Sequence, residues 1–377
     1  TWRLFDRNGA QLHYGYFAND SATLTLGLSG SYLLAIESRM SDSTAGTLRF
    51  QVRSAGHVDL PAPPAGDPIS LGTTVSGTLT SGTDTKQYGF DLASASRLVF
   101  DVLSNTSSVQ WSLTGPDGQV VAPRYFYASD SYDFNAYNNT YSDSPANPVL
   151  NLGPGHYVVT LSNQSGNFSF RLLDLSAATQ LTPDAQGSME AAGTLQPLNE
   201  TDLYSFTAAA GERFYFQHLQ SGDSGHYLRL IGPDGRQIFD SQYQYYDRDN
   251  VTLPIAGTYT LLVEGRYYQS GSFDYRTRIV RINDPAPVSI ALGDTVNGQL
   301  AGPGQANRYR FTLGNTAQVY FDTLDTSATG TINWTLTGPT GKLVDSRAFT
   351  ASNANDVSGT GVLLDLRAGS YELTIDG

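Results

Sequence analysis

Gly155-His156-Tyr157-Val158-Val159-Thr160-Leu161 is the stretch on which the fold turns. A glycine, a tyrosine two residues on and then alternating apolar positions read as a turn feeding a half-buried β-strand. The pattern returns as Gly30-Ser31-Tyr32-Leu33-Leu34-Ala35-Ile36, Gly257-Thr258-Tyr259-Thr260-Leu261-Leu262-Val263 and Gly369-Ser370-Tyr371-Glu372-Leu373-Thr374-Ile375. The copies stand about 100–125 residues apart, too far for a solenoid repeat and suited to one whole β domain. Catalytic centres are rarely built four times over, whereas stalks, adhesins and fibres are.

Upstream of each copy lies a turn inside a hairpin. Trp111-Ser112-Leu113-Thr114-Gly115-Pro116-Asp117-Gly118 matches Leu228-Arg229-Leu230-Ile231-Gly232-Pro233-Asp234-Gly235 and Trp334-Thr335-Leu336-Thr337-Gly338-Pro339-Thr340-Gly341. An N-terminal version reads Trp2-Arg3-Leu4-Phe5-Asp6-Arg7-Asn8-Gly9. Proline presets φ at the first turn position and glycine accepts positive φ at the last. All three tryptophans occupy one repeat position, alternating with Leu4, Leu113 and Leu336, so Trp2, Trp111, Leu228 and Trp334 are expected to be buried.

Each complete module opens with a small strand: Val75-Ser76-Gly77-Thr78-Leu79, Ala192-Gly193-Thr194-Leu195, Val296-Asn297-Gly298-Gln299-Leu300. Aromatic pairs at period two follow (Tyr88 and Phe90, Tyr204 and Phe206, Tyr309 and Phe311), then strands around Phe100, Phe216 and Phe321. Closing strands read Phe168-Ser169-Phe170-Arg171-Leu172 and Phe273-Asp274-Tyr275, with Leu48-Arg49-Phe50-Gln51-Val52 as the N-terminal version. Seven or eight short strands per module predict an all-β chain, a tandem array of jelly-roll-like antiparallel β-sandwich domains. Pro/Gly clusters at 60–68, 182–184 and 284–287 divide it into a partial repeat 1–60, repeats 67–176 and 177–283, and a repeat 284–377. Those joints read as semi-rigid spacers. The first module lacks opening strands and the last lacks a closing one, which reads either as a window on a longer array or as strand exchange between chains.

Composition agrees. Of 377 residues 40% are hydrophobic and only 15% charged, with 38 Gly. Cysteine is absent, which excludes thiol nucleophiles and thiolate metal sites. A net charge of −13 argues against nucleic acid and against docking on anionic membranes. No apolar run reaches the roughly 18 residues of a membrane span. The five histidines lie at unrelated repeat positions, so no catalytic residue, no enzyme and no organic cofactor is expected.

Two surpluses remain. Acids beside loop carbonyls offer the hard oxygens that Ca²⁺ requires. The metal candidates are Glu200, Asp202, Asp223, Asp322 and Asp325, with the loop Asp247-Arg248-Asp249-Asn250; the alternative is ordinary turn acids accepting backbone N–H bonds. Tyrosine is also abundant, and Tyr125, Tyr127, Tyr132, Tyr137, Tyr243, Tyr245, Tyr246, Tyr267 and Tyr268 are the contact candidates. Rigid amphipathic rings suit either packing between modules or a ligand.

The combined motifs resemble the bacterial pre-peptidase C-terminal domain family. That resemblance rests on the Gly-x-Leu opening strand, the Tyr-x-Phe strand, the Leu-x-x-Pro-x-Gly-type turn and Gly-x-Tyr. Only the copy Asp202-Leu203-Tyr204-Ser205-Phe206 keeps the family's Asp before Tyr-x-Phe; Lys86 and Asn307 stand there in the others. The resemblance implies a jelly-roll-like sandwich from secreted or surface-exposed bacterial proteins, placed beside peptidases or in tandem within large adhesins, some relatives binding calcium or collagen. The expected function is a non-catalytic structural or adhesive segment of an extracellular or cell-surface repeat protein, including a fibre or filament component. Its partners would be neighbouring modules, copies of itself, or a surface polysaccharide or protein. The alternative is an accessory substrate- or carbohydrate-binding region of a secreted hydrolase.

Overall fold

The computed structural model describes residues 1–6, 11–17, 19–26, 30–38, 47–57, 64–106, 108–129, 147–219, 226–243, 247–324, 332–352 and 363–377. Strands β1 (Trp2–Phe5), β2 (Gln11–Gly15) and β3 (Leu33–Ile36) form one antiparallel sheet in the order β2-β1-β3. The second unit comprises β4 (Asp67–Pro68), β5 (Val75–Leu79), β6 (Lys86–Leu92), β7 (Ser96–Val102), β8 (Gln110–Gly115), β9 (Gly118–Tyr125), β10 (Leu150–Leu152), β11 (Gly155–Ser162) and β12 (Gly166–Asp174). Its sheets run β4-β6-β11-β8-β9 and β10-β7-β12-β5.

The third unit repeats that topology. Its strands are β13 (Thr179–Gln180), β14 (Met189–Leu195), β15 (Thr201–Ala208), β16 (Arg213–His218), β17 (Tyr227–Ile231), β18 (Gln237–Tyr243), β19 (Arg248–Thr252), β20 (Gly257–Glu264) and β21 (Phe273–Ile282). They pair as β13-β15-β20-β17-β18 and β14-β21-β16-β19. The fourth unit has β22 (Val288–Ser289), β23 (Ala306–Leu313), β24 (Ala317–Val319), β25 (Asn333–Gly338), β26 (Gly341–Ala348), β27 (Leu364–Leu366) and β28 (Gly369–Asp376). It keeps the five-stranded order β22-β23-β28-β25-β26 and opposes to it the pair β24-β27. The chain is therefore all-β, its two complete units being two-layer sandwiches.

The repeated motifs dock on one another. In the Gly-x-Tyr copies Gly155, Gly257 and Gly369 hold φ of +143°, +147° and +148°, a region L side chains avoid. A Cβ there would collide with Pro116, Pro233 or Pro339, the prolines of the hairpin turns. The tyrosine then tucks inward. Tyr157, Tyr259 and Tyr371 each donate their hydroxyl to the carbonyl four residues back, at Gly153, Ile255 and Arg367, 2.6–3.0 Å away. Their rings stack on Phe90, Phe206 and Phe311 at centroid separations of 5.5, 5.9 and 5.2 Å. One turn, one strand and one aromatic pair are thus a single packing device, used three times.

Trp111 and Trp334 are 1% exposed and Leu228 is 3% exposed, as their shared register requires. Trp111 stacks on Phe100 at 3.9 Å and Trp334 on Phe321 at 4.4 Å. Trp2 departs from the expectation: it is only half-buried, its ring against His13, and among the described residues no second sheet lies opposite it. Two further expectations are corrected. Residues 48–52 and 296–300 are not strands, and Leu48, Phe50 and Val52 are exposed. In the complete units β12 is held between β7 and β5, and β5 in turn pairs with β12. Without such neighbours among the described residues an isolated strand has nothing to pair with. The segment from Asp247 is no open loop: Arg248–Thr252 is β19, paired with β16. The sandwiches are antiparallel as expected, and the joints add two-residue parallel edge strands, β4, β13 and β22.

Candidate functional site at the junction of the second and third units

Strand β17 is buried at every residue, although a strand with one face to water should alternate. The cause is the neighbouring unit. Leu203, Ile231 and Leu262 project from the outer face of the third unit's five-stranded sheet and pack with Val99, Val149 and Leu175 of the second. The two units meet sheet on sheet, so their joint is no spacer. At the matching positions the fourth unit carries Arg308, Thr337 and Thr374, and the second Gln87, Thr114 and Thr160.

Polar groups edge this contact. On the same face Arg229 and Glu264, both fully buried, pair at 3.2 Å, and Arg229 also donates to Gln237. Arg171 of β12 donates through Nε and Nη2 to Asp101 of β7 at 2.8 and 2.5 Å, and through Nη2 to the Thr201 carbonyl at 3.2 Å. It lies 3.4 Å from Glu200. Burial pushes the fully enclosed Asp101 carboxyl up to about 7, against the pull of Arg171. Burial also raises Glu200, with Gln196 N–H and Arg171 acting the other way. A cleft of about 340 Å³ opens beside the network, lined by Arg171, Asp174, Thr179, Asp202 and Tyr204 among others.

The metal candidates divide. Glu200 accepts Gln196 N–H at 2.7 Å besides facing Arg171. Asp202 accepts the Tyr275 hydroxyl at 2.7 Å, itself 2.6 Å from that of Tyr204. Asp322 is exposed in another unit. Asp223 and Asp325 lie outside the described residues. Asp247 accepts from Tyr215 and from His218 N–H. Among the described residues no three acids or histidines are grouped to hold a metal ion.

The tyrosine candidates converge further. Tyr125 stacks on Tyr127 at 5.0 Å, Tyr127 approaches Tyr267 of the third unit at 6.2 Å, and Tyr267 meets Tyr268 edge-on at 5.4 Å. Arg266 lies over Tyr268, 4.7 Å from its centroid. Backbone carbonyls of Tyr268 and Tyr267 accept from Asn105 and Asn199. The result is an aromatic row across the junction, half-buried except at Tyr268, which is exposed. Tyr132, Tyr137, Tyr245 and Tyr246 lie outside the described residues, as does the side chain of Tyr243. Sequence reading missed Asp101, Arg171, Arg229 and Glu264. Arg229 and Ile231 were detectable, standing where the sister strands carry Ser112 and Thr114 or Thr335 and Thr337.

No protein-family model matches the chain, and no curated protein matches it. Among solved structures it is similar to PliG of Aeromonas hydrophila, a periplasmic inhibitor of g-type lysozyme, at 16% identity over 28% of this chain and 96% of that one, TM-score 0.22. The Salmonella Typhimurium PliG gives 20% identity over 28% and 99%, TM-score 0.22. The CUB1-EGF-CUB2 region of human MASP-1/3 gives 8% over 55% and 99%, TM-score 0.18. No helix among the described residues is long and apolar enough to cross a membrane.

Proposed function

We propose that the chain is a non-catalytic structural or adhesive segment of a bacterial extracellular repeat protein, built from modules of the pre-peptidase C-terminal kind. The observation that carries this reading is the sheet-on-sheet contact through Val99, Leu203, Ile231 and Leu262. It turns two modules into one stiff body, the property a load-bearing or spacing element needs, and it occupies sheet faces rather than a pocket. Electron microscopy of the native material tests it: filaments or surface fibres support the reading, and dispersed molecules attached to a catalytic domain oppose it.

A second reading, an accessory polysaccharide- or protein-binding region of a secreted hydrolase, is favoured by the row Tyr125, Tyr127, Tyr267 and Tyr268 with Arg266. Ring faces beside a guanidinium suit stacking on sugars. Affinity electrophoresis against soluble polysaccharides decides it, with retardation abolished in Tyr268→Ala as the supporting result.

A further inference from the structure

We propose that His156 is a protonation-dependent clasp that holds the chain entering the second unit against that unit's edge. The seat is made of glycine. Gly66, at φ +65°, lies so near Gly89 of β6 that a Cβ on it would stand 2.7 Å from the Gly89 amide nitrogen. A Cβ on Gly89 would in turn collide with the Ala65 carbonyl. The entering chain continues directly into β4, paired in parallel with β6, and Ile69 N–H donates to the Gly89 carbonyl at 2.9 Å.

His156 closes this seat from β11. Its Nδ1 is 2.9 Å from Asp91 Oδ1 on β6, and its Nε2 is 3.1 Å from the Ala65 carbonyl and 3.3 Å from that of Pro64. Carboxylate and carbonyl oxygens only accept, so both contacts are hydrogen bonds only when both ring nitrogens carry protons. The neutral ring must give up one of them. The clasp is thus closed in the imidazolium and loosened in the neutral imidazole. The Asp91 hydrogen bond is the largest influence raising the imidazole above its ordinary value; slight burial opposes it and the two carbonyls reinforce it.

Among the described residues the acidic side chain that meets the ring is Asp91. The entering chain offers carbonyls, with Asp67 its next titratable residue, and β8 beyond β11 presents Ser112 and Thr114, with Asp117 in the turn past Gly115. The corresponding positions of the other units hold Ser31, Thr258 and Ser370, so this titratable clasp belongs to the second unit.

The test uses the full 377-residue chain. Histidine ring nitrogens are titrated by NMR while amide hydrogen exchange is followed at Ile69, corrected for intrinsic rates. The expected result is an imidazole pKa above about 6.5. Protection at Ile69 should fall about two- to fivefold as pH rises through that pKa, the scale of an exposed charge-assisted contact. Asp91→Asn, at a highly exposed side chain, should lower the pKa and move the protection step with it. His156→Gln should abolish the step. An imidazole pKa at or below about 6.5 overturns the proposal, as does flat protection through the titration or an unchanged step in His156→Gln.

Discussion

Trp334 shows how much of a single residue's role the sequence discloses. Its burial followed from its distance to the Gly-Pro turn, but its polar edge did not. Nε1 donates to Ser352 Oγ at 2.7 Å, and Ser352 donates to the Ala348 carbonyl at 2.6 Å. Trp111 does the same through Ser129 and the Tyr125 carbonyl, again across 18 residues. The signal was present, since Phe126-Tyr127-Ala128-Ser129 and Phe349-Thr350-Ala351-Ser352 repeat one pattern; in the third unit the Leu228 side chain has no N–H to satisfy. Buried Trp N–H groups need an acceptor, so Ser352→Ala should destabilise the fourth unit by about 1–3 kcal/mol. Trp334→Ala should cost about 3–5 kcal/mol by opening a cavity against Phe321. Urea unfolding of both variants checks the order; a silent Ser352→Ala would mean the indole N–H finds another partner.

At the scale of elements, alternation foretold a strand only where the fold supplies a partner for it. Phe168-Ser169-Phe170 and Leu48-Arg49-Phe50 carry the same alternation, yet only the former is a strand, because β7 and β5 flank it. The outer face of β17 and β20 was legible only by comparison with sister strands. Its apolar residues make a direct prediction. Ile231→Thr with Leu262→Thr installs the fourth unit's residue types at those positions and should leave both sandwiches folded while uncoupling them. Calorimetry of residues 67–283 should show one transition for the parent and two for the variant; one transition in both would mean the contact does not couple the units. The buried Asp101 adds a pH dependence. Its folded pKa, about 7, lies above its unfolded value of about 3.9, so the folded state holds more protons between them. Its contribution to stability is complete below about pH 4 and is lost as pH rises through about 7. The stability of the parent relative to Asp101→Asn, followed by urea unfolding from pH 4 to 8, should therefore fall as pH rises, and a difference constant with pH would refute the assignment.

Across the whole molecule the two described junctions differ in kind. The second and third units are joined by apolar faces with ion pairs at the margin, whereas the third and fourth meet through Asp284. Its carboxylate accepts from Arg213 at 2.6 Å, from Arg308, and from Ala306 N–H at 3.0 Å, while Arg213 also donates to the Gly304 carbonyl. Burial of Asp284 opposes its ionisation, but these donors prevail and hold the carboxyl below the usual range. Removing it leaves two guanidiniums facing each other, so repulsion adds to the lost hydrogen bonds. Asp284→Ala should therefore free the fourth unit, at a cost of about 1–3 kcal/mol to the junction, without disturbing the contact of the second with the third. Limited proteolysis reads this directly, because the joint Asp284-Pro285-Ala286-Pro287 becomes reachable once the units separate. Cleavage should accelerate near residue 284 in the variant and stay slow between 174 and 182, where Leu175 is packed into the apolar junction. Equal acceleration at both places would show that the two junctions open as one, and that the chain has a single mechanical unit rather than a stiff pair carrying a hinged third.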